Sequence, residues 1–153
     1  MLEIIDLAER PDLVTACATW NHAEWGEFHG ETPEGTVAAF RNLVQADDGQ
    51  IARIALSNGE LAGFALLIDN DLETHAHLTP WVASVFVLPD HRGRGIAKSL
   101  VGAIETAAAE QGHPEAYLYT EKPDLYRRIG WQDFERLDGQ YAGMLILKKK
   151  IAR

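Results

Sequence analysis

At 153 residues with a single cysteine, the chain is long enough to bury one core without metals or disulfides, and it forms no internal disulfide. A formal charge of −9 excludes a nucleic-acid-binding surface, and the Lys148-Lys149-Lys150 run is too short to supply the basic patch required. No stretch is long and apolar enough to cross a bilayer. The opening Met1-Leu2-Glu3-Ile4-Ile5-Asp6 carries neither a basic nor an apolar leader region, so a reduced, cytoplasmic setting is expected.

Residues 2–7 are short and apolar-rich and read as a first strand. Pro11 suits a helix's first turn, and Leu13, Ala16, Cys17 and Trp20 recur after it at helical spacing. Cys17 therefore reads as a small core residue and not as a nucleophile. Periodicity breaks over residues 21–31. A second helix starts at Thr32 as N-cap with Pro33 in the first position, and Val37, Phe40, Leu43 and Val44 form its buried stripe. Residues 51–56 and 61–68 are strand-like runs joined at Asn58-Gly59, a pair suited to tight hairpin turns.

Residues 69–79 are polar and aperiodic, hence a loop. Residues 81–88 form a strand stopped by Pro89, with Trp81 in the core. Residues 95–111 form a helix with Ile96, Leu100, Ile104 and Ala108 on one face, ended by Gly112. A short strand over 116–120 and a short helix from Pro123 to Gly130 follow. Residues 131–137 and 141–149 make a last antiparallel pair about Asp138-Gly139-Gln140. This order predicts a single mixed α/β (α+β) domain over 1–153, with helices on both faces of the sheet.

The chemistry concentrates at Val85-Phe86-Val87-Leu88-Pro89-Asp90-His91-Arg92-Gly93-Arg94-Gly95-Ile96-Ala97, where a buried strand runs through a glycine-containing turn into a long helix. The first N–H groups of a helix lack intrahelical acceptors and share the positive dipole end, so such a turn suits a phosphate. A dinucleotide fingerprint fits worse, because Pro89-Asp90-His91-Arg92 intervenes and the third glycine is absent. A nucleoside-triphosphate loop needs glycine before its lysine, whereas Ala97 precedes Lys98.

At Arg92, Gly95 and Ala97 the chain resembles the GNAT superfamily of acetyltransferases, whose motif is Gln or Arg, two variable residues, Gly, one variable residue, then Gly or Ala. Leu125-Tyr126-Arg127-Arg128-Ile129-Gly130-Trp131 is similar to the segment that closes the same fold. The resemblance implies a mostly antiparallel central sheet and acetyl-CoA as co-substrate, with no metal. It also implies pyrophosphate binding by the main chain of Gly93, Arg94, Gly95, Ile96, Ala97 and Lys98 beside Arg92. The pantetheine arm would then lie along Phe86 and Val87. By the same resemblance Tyr126 protonates the departing thiolate, and His22 and Trp25 fall where the acceptor pocket is built. Homodimers are common in the family, although nothing in this sequence establishes one.

The expected reaction is acetyl transfer to a primary amine, on a small molecule or a protein, by direct attack in a ternary complex. The alternative is a non-catalytic acyl-CoA sensor of the same fold. Many relatives carry a glutamate on the strand before the glycine turn, where this chain has Ser84 and Val85. The general base is therefore open among Asp71, Glu73, His75, His77, His22 and Glu24.

Overall fold

The computed structural model describes residues 1–151, so the last two residues of the domain expected over 1–153 lie outside the described residues. Seven strands form one sheet: β1 (Leu2–Asp6), β2 (Ile51–Ser57), β3 (Glu60–Ile68), β4 (Trp81–Val87), β5 (Glu115–Thr120), β6 (Gln132–Arg136) and β7 (Leu145–Lys150). Their order is β1-β2-β3-β4-β5-β7-β6, antiparallel throughout except between β4 and β5.

Helices α1 (Val14–Asn21) and α2 (Pro33–Ala46) cover one face over Leu7, Phe40, Ile54, Phe64 and Phe86. On the other face, α3 (Ile96–Glu110) buries Ile96, Leu100 and Ile104 against Leu67, Val82 and Leu118, and Tyr126 of α4 (Asp124–Arg128) packs on the same cluster. The mixed, mostly antiparallel sheet between two helical layers is the architecture expected.

Local chemistry explains most boundaries. Thr32 caps α2 by accepting the Gly35 N–H at 3.0 Å, and Pro33 occupies the first turn. At the β2–β3 hairpin Asn58 and Gly59 both have left-handed φ, +52° and +84°, which a two-residue turn of this hand requires.

Three segments depart from their sequence reading. Residues 22–26 continue α1 as one π-helical turn, with Gly26 packed so closely under the His22 ring that a Cβ would clash with it. The loop 69–79 contains a 3₁₀ turn, Glu73–His75, and is anchored by buried Leu72 and Leu78, because isolated apolar residues can pin a loop without imposing a period. The last strand starts at Leu145 and not at residue 141. A 3₁₀ turn, Gly139–Tyr141, widens the connection and turns Tyr141 onto Tyr119.

The feature that creates the site is a gap in the sheet. β4 and β5 pair only at Trp81 and Tyr117, where the Tyr117 N–H donates to the Pro80 carbonyl at 3.0 Å. Beyond that point they part. On its other side β4 stays paired with β3, but Phe64 faces Phe86 while Leu66 faces Ala83, so Ser84 and Val85 share one opposing residue. Ser84 takes φ +52° in this bulge.

Candidate active site

β4 leads into the turn through a 3₁₀ segment, Pro89–His91, and α3 begins at Ile96 with Gly95 as N-cap. Gly93 and Gly95 have φ of +80° and +76°, a region costly for residues with a Cβ. A Cβ at either position would meet nothing within 4 Å, so their side-chain directions face open space. The N–H groups of Gly93, Arg94, Gly95, Ile96, Ala97 and Lys98 have no acceptor among the described residues, and the first bond of the helical ladder is the Ser99 N–H donating to the carbonyl of the N-cap Gly95 at 3.2 Å. Six consecutive unpaired donors at the positive end of a 15-residue helix form a cradle suited to an anionic group. Arg94 and Lys98 are exposed beside it and make no ion pair among the described residues.

The Arg92 side chain works inward. Its Nε–H donates to the Val87 carbonyl at 2.9 Å and its guanidinium sits 5.3 Å from the Phe86 ring centroid. Arg92 thus ties the turn to the end of β4 and leaves the cradle to the main chain.

Along β4 the Leu88 N–H donates to the Ala62 carbonyl of the neighbouring chain segment. Strand alternation then turns the peptide groups of Phe86 toward β3, and those of Val87 and Val85 toward the gap. Of the two strand residues expected to line the pantetheine arm, Val87 presents its N–H there, whereas Phe86 contributes its ring on the α1–α2 face.

Tyr126 is partly buried against the α3 core and packs edge-on to Trp131 at 6.4 Å. Its hydroxyl has no hydrogen-bond partner among the described residues, and burial pushes its pKa up to about 12. The segment after α4 is held by Glu105 of α3, which accepts from Trp131 Nε1 at 3.1 Å and from Lys149 Nζ at 2.8 Å. Lys149 also donates to the Ile129 carbonyl. This network is what positions Tyr126 on its short helix.

On the opposite face of the gap, the Trp25 ring meets Phe86 edge-on at 6.1 Å. His22, from the same π-turn, is directed to Thr36 of α2 at 3.3 Å and lines an outer groove between α1 and α2 with Val37 and Arg41. The structure therefore brings Trp25, but not His22, to Phe86.

Among the base candidates, Glu24, Glu73 and His77 are exposed, and His75 is bound to Thr74 at 2.8 Å and to Glu135 at 2.9 Å. Asp71 differs. It is half-buried, lacks any hydrogen bond or ion pair among the described residues, and is raised to about 7 by desolvation. Cys17 is fully buried with its thiol pushed up to about 12, as a core residue should be. No group of three or more metal-ligating side chains occurs among the described residues, and no described helix is long and apolar enough to cross a membrane.

Comparison with known proteins places this geometry in context. Residues 14–131 match the model of the acetyltransferase (GNAT) family. The chain is 30% identical over 113 residues to N-acetyltransferase Eis of Mycobacterium tuberculosis, covering 71% of this chain and 27% of that protein's length. Among solved structures, an aminoglycoside 6'-N-acetyltransferase complexed with coenzyme A superposes with a TM-score of 0.77 at 17% identity, over 99% of this chain and 97% of that one. The aminoglycoside 6'-N-acetyltransferase of Enterococcus faecium gives 0.72 at 15% identity, over 97% of each chain.

Proposed function

The chain belongs to the acetyltransferase (GNAT) family, and on that basis we propose that it moves an acetyl group from acetyl-CoA to a primary amine by direct attack in a ternary complex. The observation that carries the donor half is the run of six unpaired N–H groups from Gly93 to Lys98 at the mouth of the β4–β5 gap. Those donors, with Arg94 and Lys98 beside them, fit a coenzyme A diphosphate.

Bound there, acetyl-CoA supplies the activated thioester, and the chain supplies place and charge. The free N–H groups of β4 at Val85 and Val87 align the acyl arm along the gap and are the donors available to negative charge developing on the carbonyl oxygen. Holding donor and acceptor in one gap converts a bimolecular encounter into an intramolecular one.

Tyr126 stays protonated through the neutral range because burial disfavours its phenolate. Full transfer of its proton to a thiolate of ordinary pKa, about 8.5, is uphill. Its contribution is therefore a hydrogen bond to the departing sulfur, with the proton following as C–S cleavage completes.

The acceptor must shed a proton before its nitrogen can attack, since an alkylammonium has a pKa near about 10. Titration calorimetry with acetyl-CoA, followed by thiol release with a panel of primary amines, tests the two halves in turn. Saturable binding with amine-dependent thiol release is expected. Binding without release under any amine favours a sensor of the same fold, and absence of binding removes the proposal.

A further inference from the structure

Four aromatic contacts connect the two sides of the gap on the α1–α2 face. Trp25 touches Phe86 of β4 at 6.1 Å, and Phe28, three residues further along the same segment, touches Tyr141 at 5.5 Å. Tyr141 meets Tyr119 of β5 edge-on at 5.6 Å, and Tyr119 meets Trp81 of β4 at 6.2 Å. Residues from α1's extension, β4, β5 and the β6–β7 connection thus ring the place where β4 and β5 part. Phe28 is 46% exposed, one of the few large apolar side chains on the surface, and it forms part of this rim.

Asp71 belongs to the same ring. Leu72, the next residue, is buried in one cluster with Trp81, and Tyr119 and Tyr141 pack against that cluster, which brings Asp71 to this side of the ring; the charge of Asp71, after burial, helps to raise the pKa of Tyr119. Neither phenol nor the carboxylate has a hydrogen-bond partner among the described residues, nor has Asp71 an ion pair. An ionised carboxylate kept out of water without a donor is costly, and an arriving cation with N–H groups relieves that cost. The faces of Tyr119, Tyr141 and Phe28 are attractive to the same kind of group.

Resting on the acetyl-CoA reading above, we propose that Asp71, Tyr119, Tyr141 and Phe28 form the acceptor compartment, and that it takes an organic ammonium bearing no neighbouring carboxylate. A carboxylate on the carbon next to the nitrogen would be driven against Asp71, so amines are selected over the corresponding amino acids. Asp71 is also the first destination of the ammonium proton. The freed nitrogen pair forms the N–C bond to the acetyl carbon, and the C–S bond breaks with its electron pair on sulfur. The sulfur takes one proton, supplied through Tyr126. The nitrogen gives up its second proton, which restores Tyr126 through water. The sum is ammonium plus acetyl-CoA giving amide, thiol and one released proton.

Two matched pairs test this: tryptamine against tryptophan, and tyramine against tyrosine. The expected result is a kcat/KM at least about tenfold higher for each amine than for its carboxylated partner, and a loss of at least about tenfold on the amines in Asp71→Asn, an isosteric change. Amine binding is read separately, without donor, as backbone amide shifts at Phe28, Tyr119 and Tyr141 that vanish in Asp71→Asn. Equal turnover within the pairs, no turnover of either amine, or undiminished shifts and rates in Asp71→Asn would overturn the proposal. Calorimetry of acetyl-CoA on both proteins separates this failure from that of the donor site: unchanged donor affinity leaves the donor reading standing whatever the amines show.

Discussion

Burial raises both Tyr126 and Asp71, to about 12 and about 7, with opposite consequences. For Tyr126 it secures the protonated form, so Tyr126→Phe is expected to lower kcat by about tenfold or more while acetyl-CoA affinity changes by less than about threefold. Equal kcat in the two proteins would withdraw the role given to its hydroxyl. For Asp71 the raised value is a cost to the fold. A carboxyl whose folded pKa lies above its unfolded value near about 3.9 binds the extra proton only in the folded state across roughly pH 4–7. Stability contributed by that proton is present at low pH and lost as pH rises through this window. Asp71→Asn should therefore stabilise the protein by about 1–3 kcal/mol at pH 8 and by little at pH 4, read from urea unfolding at both pH values. An equal effect at both would show that Asp71 is not held in its neutral form. The same titration predicts that kcat/KM for an amine rises with pH through about 7 in the wild type and loses that step in Asp71→Asn.

Among elements, β4 does the most. It is pinned to β3 and α3 at Gly63, where a Cβ would lie 2.6 Å from the Phe86 carbonyl oxygen and 3.1 Å from Leu100 Cδ1. The carbonyl cannot retreat without moving the strand that borders the gap. Gly63→Ala is expected to destabilise by about 2–4 kcal/mol in urea unfolding. It should also weaken acetyl-CoA binding, and a variant as stable as wild type would show that the strand yields more easily than this packing implies. The turn after β4 was legible in the sequence because its signals are local: the proline stop, two glycines and the helical stripe beginning at Ile96. The Asn58-Gly59 hairpin was legible for the same reason. Tyr141 was misassigned to a strand because an apolar run following Gly139 has the right composition, whereas the 3₁₀ turn that directs it inward depends on packing against Tyr119.

At the scale of the whole molecule, function follows from one interruption in the sheet. Two helical layers close its faces and leave the β4–β5 gap between the turn with unpaired N–H groups that opens α3 and the aromatic ring on the α1–α2 side. Nothing in the sequence marks where β4 and β5 separate, since parallel register is set by residues far apart in the chain. For that reason Asp71 could not be told from Glu73 or His75 by sequence: all three sit in one polar loop, and only the tertiary structure leaves Glu73 exposed, ties the half-buried His75 to Glu135 and half-buries Asp71 with no partner among the described residues. His22, placed with Trp25 by the resemblance alone, directs its ring to Thr36. The cradle itself is tested most directly by titration calorimetry of acetyl-CoA against wild type and Gly95→Pro, with circular dichroism as the check on folding. Proline cannot adopt the φ of +76° at this position, which would disrupt the entry to α3 and the donors around it. Saturable binding by the wild type, lost by at least about a hundredfold in a still-helical Gly95→Pro protein, is the expected result. Equal affinity in the two proteins, or no binding by the wild type, would contradict a coenzyme A site at this turn.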